Sequence, residues 1–204
     1  MNVVLASNNA GKLVELNALL SPLGVTLTAQ QELGIDEAEE TATTFVENAL
    51  IKARHAAWSS DRPAIADDSG LVVTALGDSP GVYSARYAGS PSNAEANNRK
   101  LIQALHGVED RRAYFYCALV FMRASDDPAP LIATATWHGR IVDHPAGAGG
   151  FGYDPHFFVD GPRQTAAQMA APLKNQISHR GKAAAALFVS LRHALEELHA
   201  SHRA

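Results

Sequence analysis

Asp67 and Asp68 stand side by side between two apolar runs, Pro63-Ala64-Ile65-Ala66 and Leu71-Val72-Val73, followed at once by Ser69-Gly70. A carboxylate carried to the end of a buried strand loses its water and must find a partner, and a divalent cation is a common one. Ser69 adds a hydroxyl, and Gly70 a backbone free to turn. The order predicts strand, acidic turn and strand, with Mg²⁺ held where a phosphate meets it. The same four residue types also make ordinary solvated hairpin tips, so other parts of the chain must decide.

Three further segments carry anion or ring chemistry. Ser7-Asn8-Asn9-Ala10-Gly11-Lys12 lies between an apolar strand pattern and a helical one. A strand–loop–helix junction offers free backbone N–H groups and the positive end of a helix dipole, to which Ser7, Asn9 and Lys12 add donors. The segment is not a Walker A loop: Ala6 stands where the first glycine is required, and Leu13 follows Lys12. This disfavours a nucleotide kinase. Gly147-Ala148-Gly149-Gly150-Phe151-Gly152 fits G-x-G-x-x-G by letter, but Tyr153-Asp154-Pro155 and an extended aromatic run follow it, not a helix. Dinucleotide binding is therefore rejected. The loop reads instead as a carrier of two ring platforms, Phe151 and Tyr153, beside the acceptor Asp154; the competing reading puts those rings in the core. Lys174 to Gly181 gathers Ser178, His179 and Arg180 at the start of a final helix, a donor-rich setting for an oxygen-bearing ligand. In the acidic run Asp36-Glu37-Ala38-Glu39-Glu40, either Glu39 or Glu40 is placed to supply a second metal oxygen across from Asp68.

The elements that must position these groups follow from periodicity. Strands are expected at 3–6, 25–28, 63–67, 71–74, 113–122 and 131–138. Helices are expected at 12–20, from Thr44 (with Glu47 as capping-box partner) to about 59, at 94–105, and from 181 to about 200. The two long strands flank Ser125-Asp126-Asp127-Pro128 and predict an antiparallel hairpin. The 204 residues, 47% hydrophobic and 19% charged, suit one α/β domain spanning 1–204. A net charge of −4 gives no general attraction to nucleic acid or an anionic membrane. No segment has the roughly 20 apolar residues of a membrane helix. The single cysteine, Cys117, reads as a small buried hydrophobe, and the scattered histidines lack the HExxH spacing of a zinc site. The cytoplasm is the expected compartment.

Six blocks together resemble the inosine triphosphate pyrophosphatase family. They are Ser7–Lys12; Glu39-Glu40-Thr41 with Phe45–Ala49; Ala66–Gly70; Pro80–Tyr87; Gly149–Pro155; and Ser178–Gly181. The resemblance implies an elongated mixed, partly antiparallel sheet with flanking helices, in two lobes around a nucleotide cleft, and a homodimer. It implies Mg²⁺-dependent hydrolysis of ITP, dITP and XTP to the monophosphate and pyrophosphate. By the same resemblance Ser7, Asn8, Asn9, Ala10, Gly11 and Lys12 wrap the triphosphate. Glu39 and Asp68 hold Mg²⁺, Asp68 also accepts the proton of the attacking water, and Ser69 touches substrate. Phe151, Gly152, Tyr153 and Asp154 take the purine, Lys174 contacts the nucleotide, and His179 and Arg180 read the 6-oxo group. Lys52 and Arg86 match positions that approach phosphate.

Overall fold

A computed structural model describes the backbone of residues 1–201 and the side chains of residues 1–194. The last three residues of the expected 1–204 domain lie outside the described residues. The elements run β1 (Asn2–Leu5), α1 (Ala10–Leu20), β2 (Thr26–Ala29), α2 (Phe45–Ser60), β3 (Ala64–Val73), α3 (Ala94–Ala104), β4 (Arg112–Met122), β5 (Leu131–Ile141), β6 (Phe157–Val159), β7 (Gln164–Thr165), α4 (Ala171–Ile177) and α5 (His179–Ser201), with short 3₁₀ turns between them. The strands form a seven-stranded sheet of order β2-β1-β3-β4-β5-β6-β7. β1 is parallel to β2 and to β3, whereas β5, β6 and β7 pair antiparallel. The sheet is therefore mixed. The loop from Met122 to Leu131 is too short for a parallel crossover, so β4 and β5 make the expected hairpin.

The chain divides into two compact units, each built from discontinuous pieces. Unit 1 comprises residues 1–68, 118–135 and 180–204, and unit 2 comprises residues 69–117 and 136–179. The divisions fall between Asp68 and Ser69, Cys117 and Ala118, Ala135 and Thr136, and His179 and Arg180. In unit 1 the buried side chains are Val3, Val4 and Leu5 of β1, Leu16 and Leu20 of α1, the alanine face of α2 and Leu187 and Leu191 of α5. Small residues at 49, 53, 56 and 57 give α2 a flat buried face at helical spacing. In unit 2 the core is aromatic: Phe115, Trp137, Tyr153 and Phe157 sit with Leu71, Leu101 and Met169.

One expectation is corrected. Residues 67–70 do not form a turn between two strands; Ala64–Val73 is one continuous strand, β3, buried along almost its whole length. The acidic pair stays extended because its charges are met by side chains from elsewhere, which removes the need to bend them to solvent. The glycine-rich loop is followed by a turn and then by β6, not by a helix, so the dinucleotide context is lacking. The segment before His179 holds a short helix, α4, that the periodicity had not indicated.

Candidate functional site

In unit 1 the chemistry is built on β3. Successive side chains leave a strand on opposite faces, and Asp67 and Asp68 acquire different partners. Asp67, fully buried, accepts from Nε of Arg180 at 2.5 Å and from Nζ of Lys12 at 3.2 Å. Asp68, 6% exposed, accepts from Nζ of Lys52 through Oδ1 at 2.8 Å. The Lys52 ammonium also donates to Glu40 at 2.8 Å and to the Asp67 carbonyl at 2.9 Å, which uses its three protons. Arg180 closes the network by donating from Nη1 to Glu15 at 2.6 Å.

Local sequence sets each of these positions. Asn9 caps α1: its side chain accepts from Lys12 N at 3.2 Å, while Asn9 N donates to Ser7 Oγ at 3.2 Å. The helix thus opens at Ala10, and its first amides lie in the Ser7–Lys12 loop. Lys12 and Glu15 are three apart on α1 and share a face. Thr44 caps α2 by accepting from Glu47 N, and its hydroxyl donates to the Glu47 carboxylate at 2.7 Å. Asn48, fully buried on α2, accepts from Ala42 N at 3.0 Å and donates to Ala42 O at 3.3 Å. That clamp holds the 39–42 segment, and with it the Glu40 carboxylate, beside Lys52 one turn further along α2.

Burial pushes the Asp68 carboxyl above its ordinary value, against the downward pull of Lys52. Burial would lower Lys52, but Asp68 and Glu40 hold it above the usual lysine value. Asp68 Oδ2 is buried and has no hydrogen-bond partner. An orphaned, hard, anionic oxygen of this kind suits a divalent cation. Among the described residues no cluster of three acids or histidines stands ready as a complete metal cage.

In unit 2 the glycine-rich loop wraps a single ion pair. Asp154 is 3% exposed; its Oδ2 accepts from Lys174 Nζ at 2.7 Å and from Phe151 N at 2.9 Å. Gly150, at φ +71°, passes so close that a β-carbon there would lie 2.0 Å from Asp154 Oδ2. Phe151 is 38% exposed, with the Lys174 ammonium 5.0 Å from its ring centre. A cavity of about 1200 Å³ borders this loop, lined among others by Asn98, Ile102, His106, Phe151, Gly152 and His156. His179 is buried and stacks on Phe115 at 4.8 Å and 11°.

A family model described as the Ham1 family matches residues 3–189. The chain belongs to the Ham1 family. A dITP/XTP pyrophosphatase of Nitrosomonas europaea is 57% identical over 185 residues, 91% of this chain and 91% of that protein. A dITP/XTP pyrophosphatase of Ralstonia nicotianae is 54% identical over 193 residues, covering 93% of this chain and 96% of that one. The solved structure of a HAM1 protein from Coxiella burnetii superimposes with a TM-score of 0.88 at 45% identity, covering 95% of this chain and 99% of that one.

For this Ham1 chain, the structure gathers Lys12, Lys52, Asp68 and Arg180 in one unit, and Phe151, Gly152, Asp154, Lys174 and His179 in the other. Ser69, half-buried in β3, begins unit 2. Glu39 is exposed, and it is the Glu40 carboxylate that shares Lys52 with Asp68. Tyr153 is no stacking platform: its ring is 4% exposed in the unit 2 core, and its hydroxyl donates to Ser84 O at 2.8 Å. Burial accordingly drives its pKa well above the ordinary phenol value. Arg86 lies over the Tyr83 ring at 5.2 Å within unit 2. Sequence reasoning gave no role to Glu15 or Asp67 as partners of Arg180. The Lys12–Glu15 spacing on one helix face was the available signal for Glu15; the 113-residue separation of Asp67 and Arg180 left none.

Proposed function

We infer that this chain hydrolyses non-standard purine nucleoside triphosphates, namely ITP, dITP and XTP, to the monophosphate and pyrophosphate, and so keeps these bases out of DNA and RNA. The observation that carries the reading is Asp68: a buried carboxylate with its pKa raised, one oxygen on Lys52 and the other without a hydrogen-bond partner, in a chain of Ham1 sequence. Raising a carboxyl moves it toward the range where it both accepts and releases a proton at neutral pH.

The proposal assigns phosphate and metal chemistry to unit 1. Mg²⁺ would be held by Asp68 with Glu39, or with Glu40 beside it, and when bound supplies neutralisation of phosphate charge and a lowered pKa for water. Asp68 accepts the proton of the water that attacks the α-phosphorus. Ser7, Asn8, Asn9, Ala10 and Gly11 bind phosphate oxygens through the α1 N-terminus, and Lys12 and Lys52 steady the charge that develops on the leaving pyrophosphate. Arg180 holds Asp67 in place, and Asp67 in turn accepts from Lys12 and orients it.

Base recognition is assigned to unit 2. Phe151 offers the ring face and Gly152, Tyr153 and Asp154 the backbone and carboxylate around it, with Lys174 on the nucleotide and Ser69 on substrate. His179 is given the 6-oxo group of the base, a role shared with Arg180, which belongs to unit 1. Donors set for a 6-oxo group are left unpaired by the 6-amino group of adenine, which costs about 1–3 kcal/mol for each buried group. The enzyme is proposed to work as a homodimer in the cytoplasm; among the described residues no helix is long and apolar enough to cross a membrane.

Product analysis with Mg²⁺ across ITP, XTP, dITP, ATP and GTP tests the reading. Pyrophosphate and monophosphate from the first three, with little from ATP or GTP, is the expected result. Orthophosphate and diphosphate would move attack to the γ-phosphorus and overturn the mechanism. Tight binding without turnover would make the protein a nucleotide-binding regulator.

A further inference from the structure

The glycine-rich loop of unit 2 displays Phe151 between two glycines, Gly150 at φ +71° and Gly152 at φ +62°. Glycine enters that left-handed region at no steric cost, so the backbone on either side of the ring turns easily unless something holds it. At Gly150 the Asp154 carboxylate fills the space. At Gly152 a β-carbon would meet nothing within 4 Å, so packing does not hold that end. A hydrogen bond does: Asn98 of α3 donates from Nδ2 to the Gly152 carbonyl at 2.8 Å, across 54 residues of chain.

Asn98 is an unfavourable residue for its place in α3. Asparagine is a poorer helix former than alanine, and Oδ1 of Asn98 is buried without a hydrogen-bond partner. Neither feature stabilises the helix. The residue before it makes a contrast. Asn97, 4% exposed, accepts from Ala88 N at 2.7 Å and donates to Ala85 O at 2.9 Å, which satisfies both ends of its amide. The segment it clamps carries the Ser84 carbonyl, which accepts from the Tyr153 hydroxyl at 2.8 Å. Consecutive asparagines thus hold consecutive loop residues: Asn97 holds Tyr153 through the 84–88 segment, and Asn98 holds Gly152 directly. Tyr153 belongs to the core, whereas Gly152 adjoins the displayed ring.

We propose that Asn98 is a positioning residue of the purine site: it fixes the Gly152 carbonyl and thereby the direction in which Phe151 presents its ring to the base. The proposal rests on the reading of Phe151 as the purine platform. It makes Asn98 a determinant of nucleotide affinity that acts through the loop.

Steady-state kinetics on ITP with Mg²⁺, beside thermal melts, test this in the full chain with Asn98→Ala, Asn98→Asp and Asn98→Gln. The alanine variant is expected to melt at or above the wild-type temperature, because it improves the helix, removes the orphaned oxygen and leaves the half-buried Gly152 carbonyl to water. Its KM for ITP should rise roughly three- to tenfold, the range of one net hydrogen bond, with kcat unchanged. Aspartate keeps the size but turns an acceptor toward the Gly152 carbonyl, and should raise KM at least as far. Glutamine keeps the donor on a longer stem and should recover part of the loss. A purely structural asparagine predicts the reverse pattern, a lowered melting temperature with unchanged KM, and that result overturns the proposal, as does a loss of kcat at constant KM. A wild type that does not hydrolyse ITP overturns the function and this proposal together. A wild type that hydrolyses it, beside variants of unaltered KM, overturns the role of Asn98 alone.

Discussion

Asp68 in unit 1 and Asp154 in unit 2 are both buried carboxylates that face a lysine, Lys52 at 2.8 Å and Lys174 at 2.7 Å. Their surroundings differ. Oδ2 of Asp154 takes two donors, one of them the backbone of its own loop, and the pair is enclosed by glycine backbone and an aromatic ring. Asp68 shares its lysine with Glu40 and with a backbone carbonyl, and its Oδ2 has no hydrogen-bond partner. A satisfied pair is an anchor that fixes a loop. An incompletely satisfied one keeps a basic oxygen in reserve, at the desolvation cost that raises its pKa. On the proposed function, the same two residue types serve shape in one unit and reactivity in the other.

Breaking each pair separates these roles. Asp68→Asn is expected to cost at least about 100-fold in kcat for ITP, the lower bound for loss of a positioned general base, with an unchanged melting temperature. Near-normal turnover would remove Asp68 from the chemistry and collapse the contrast. Lys174→Met leaves Asp154 buried and short of its cation, a loss of about 3 kcal/mol of stability. Its kinetic effect should fall on KM for ITP, with kcat little changed, since the role proposed for the residue is binding in both ground and transition states. A kcat loss with constant KM would place Lys174 on the reacting phosphates.

Gly150→Ala sharpens the picture of the loop. The left-handed backbone alone costs roughly 1–2 kcal/mol, and the added methyl collides with the Asp154 carboxylate. A modest fall in melting temperature with a raised KM for ITP is expected; unchanged kinetics would mean that the Asp154 position does not matter to the base. The smallest effect is expected outside both clusters. Asp127 accepts from the Arg123 guanidinium and from the backbone N–H of Arg123 and Ala129, at 3.0 Å for each amide, and these donors hold its carboxyl well below the usual value. Its stabilisation is complete above the unfolded carboxylate value of 3.8 and is lost as pH falls below that value. Asp127→Asn should therefore lower stability by about 1 kcal/mol at pH 7, discounted for the exposed arginine, and by progressively less at low pH, with hydrolysis unaffected. Thermal melts across pH 2–7 check this (the range spans the ordinary carboxylate titration).

Much of the fold was legible because period and punctuation survive in local sequence. The apolar spacing of 13, 16, 19 and 20 marked α1, and Thr44 with Glu47 marked the start of α2. The long apolar runs around Cys117 and Trp137 marked β4 and β5. Asp67 to Gly70 misled because aspartate, serine and glycine are turn formers wherever their side chains reach water. Here Lys12, Lys52 and Arg180 neutralise them inside the protein, and the chain has no reason to turn. Tyr153 misled for a related cause: a tyrosine beside glycines reads as a displayed ring, but Ser84 O gives its hydroxyl a buried acceptor and lets the ring enter the core.

The sequence by itself determined which residue types were present for the proposed phosphate, metal and purine chemistry, and the order of helices and strands that carries them. Those properties depend on side-chain identity and on neighbours a few positions away. The tertiary structure decided which charge met which: Arg180 with Asp67 and Glu15, Lys52 with Glu40 and Asp68, Lys174 with Asp154. It also decided that Asp68 keeps an oxygen without a hydrogen-bond partner. Pairings of that kind depend on burial and on contacts across tens of residues, where a charge is stabilised only by the partner that the fold brings within about 3 Å.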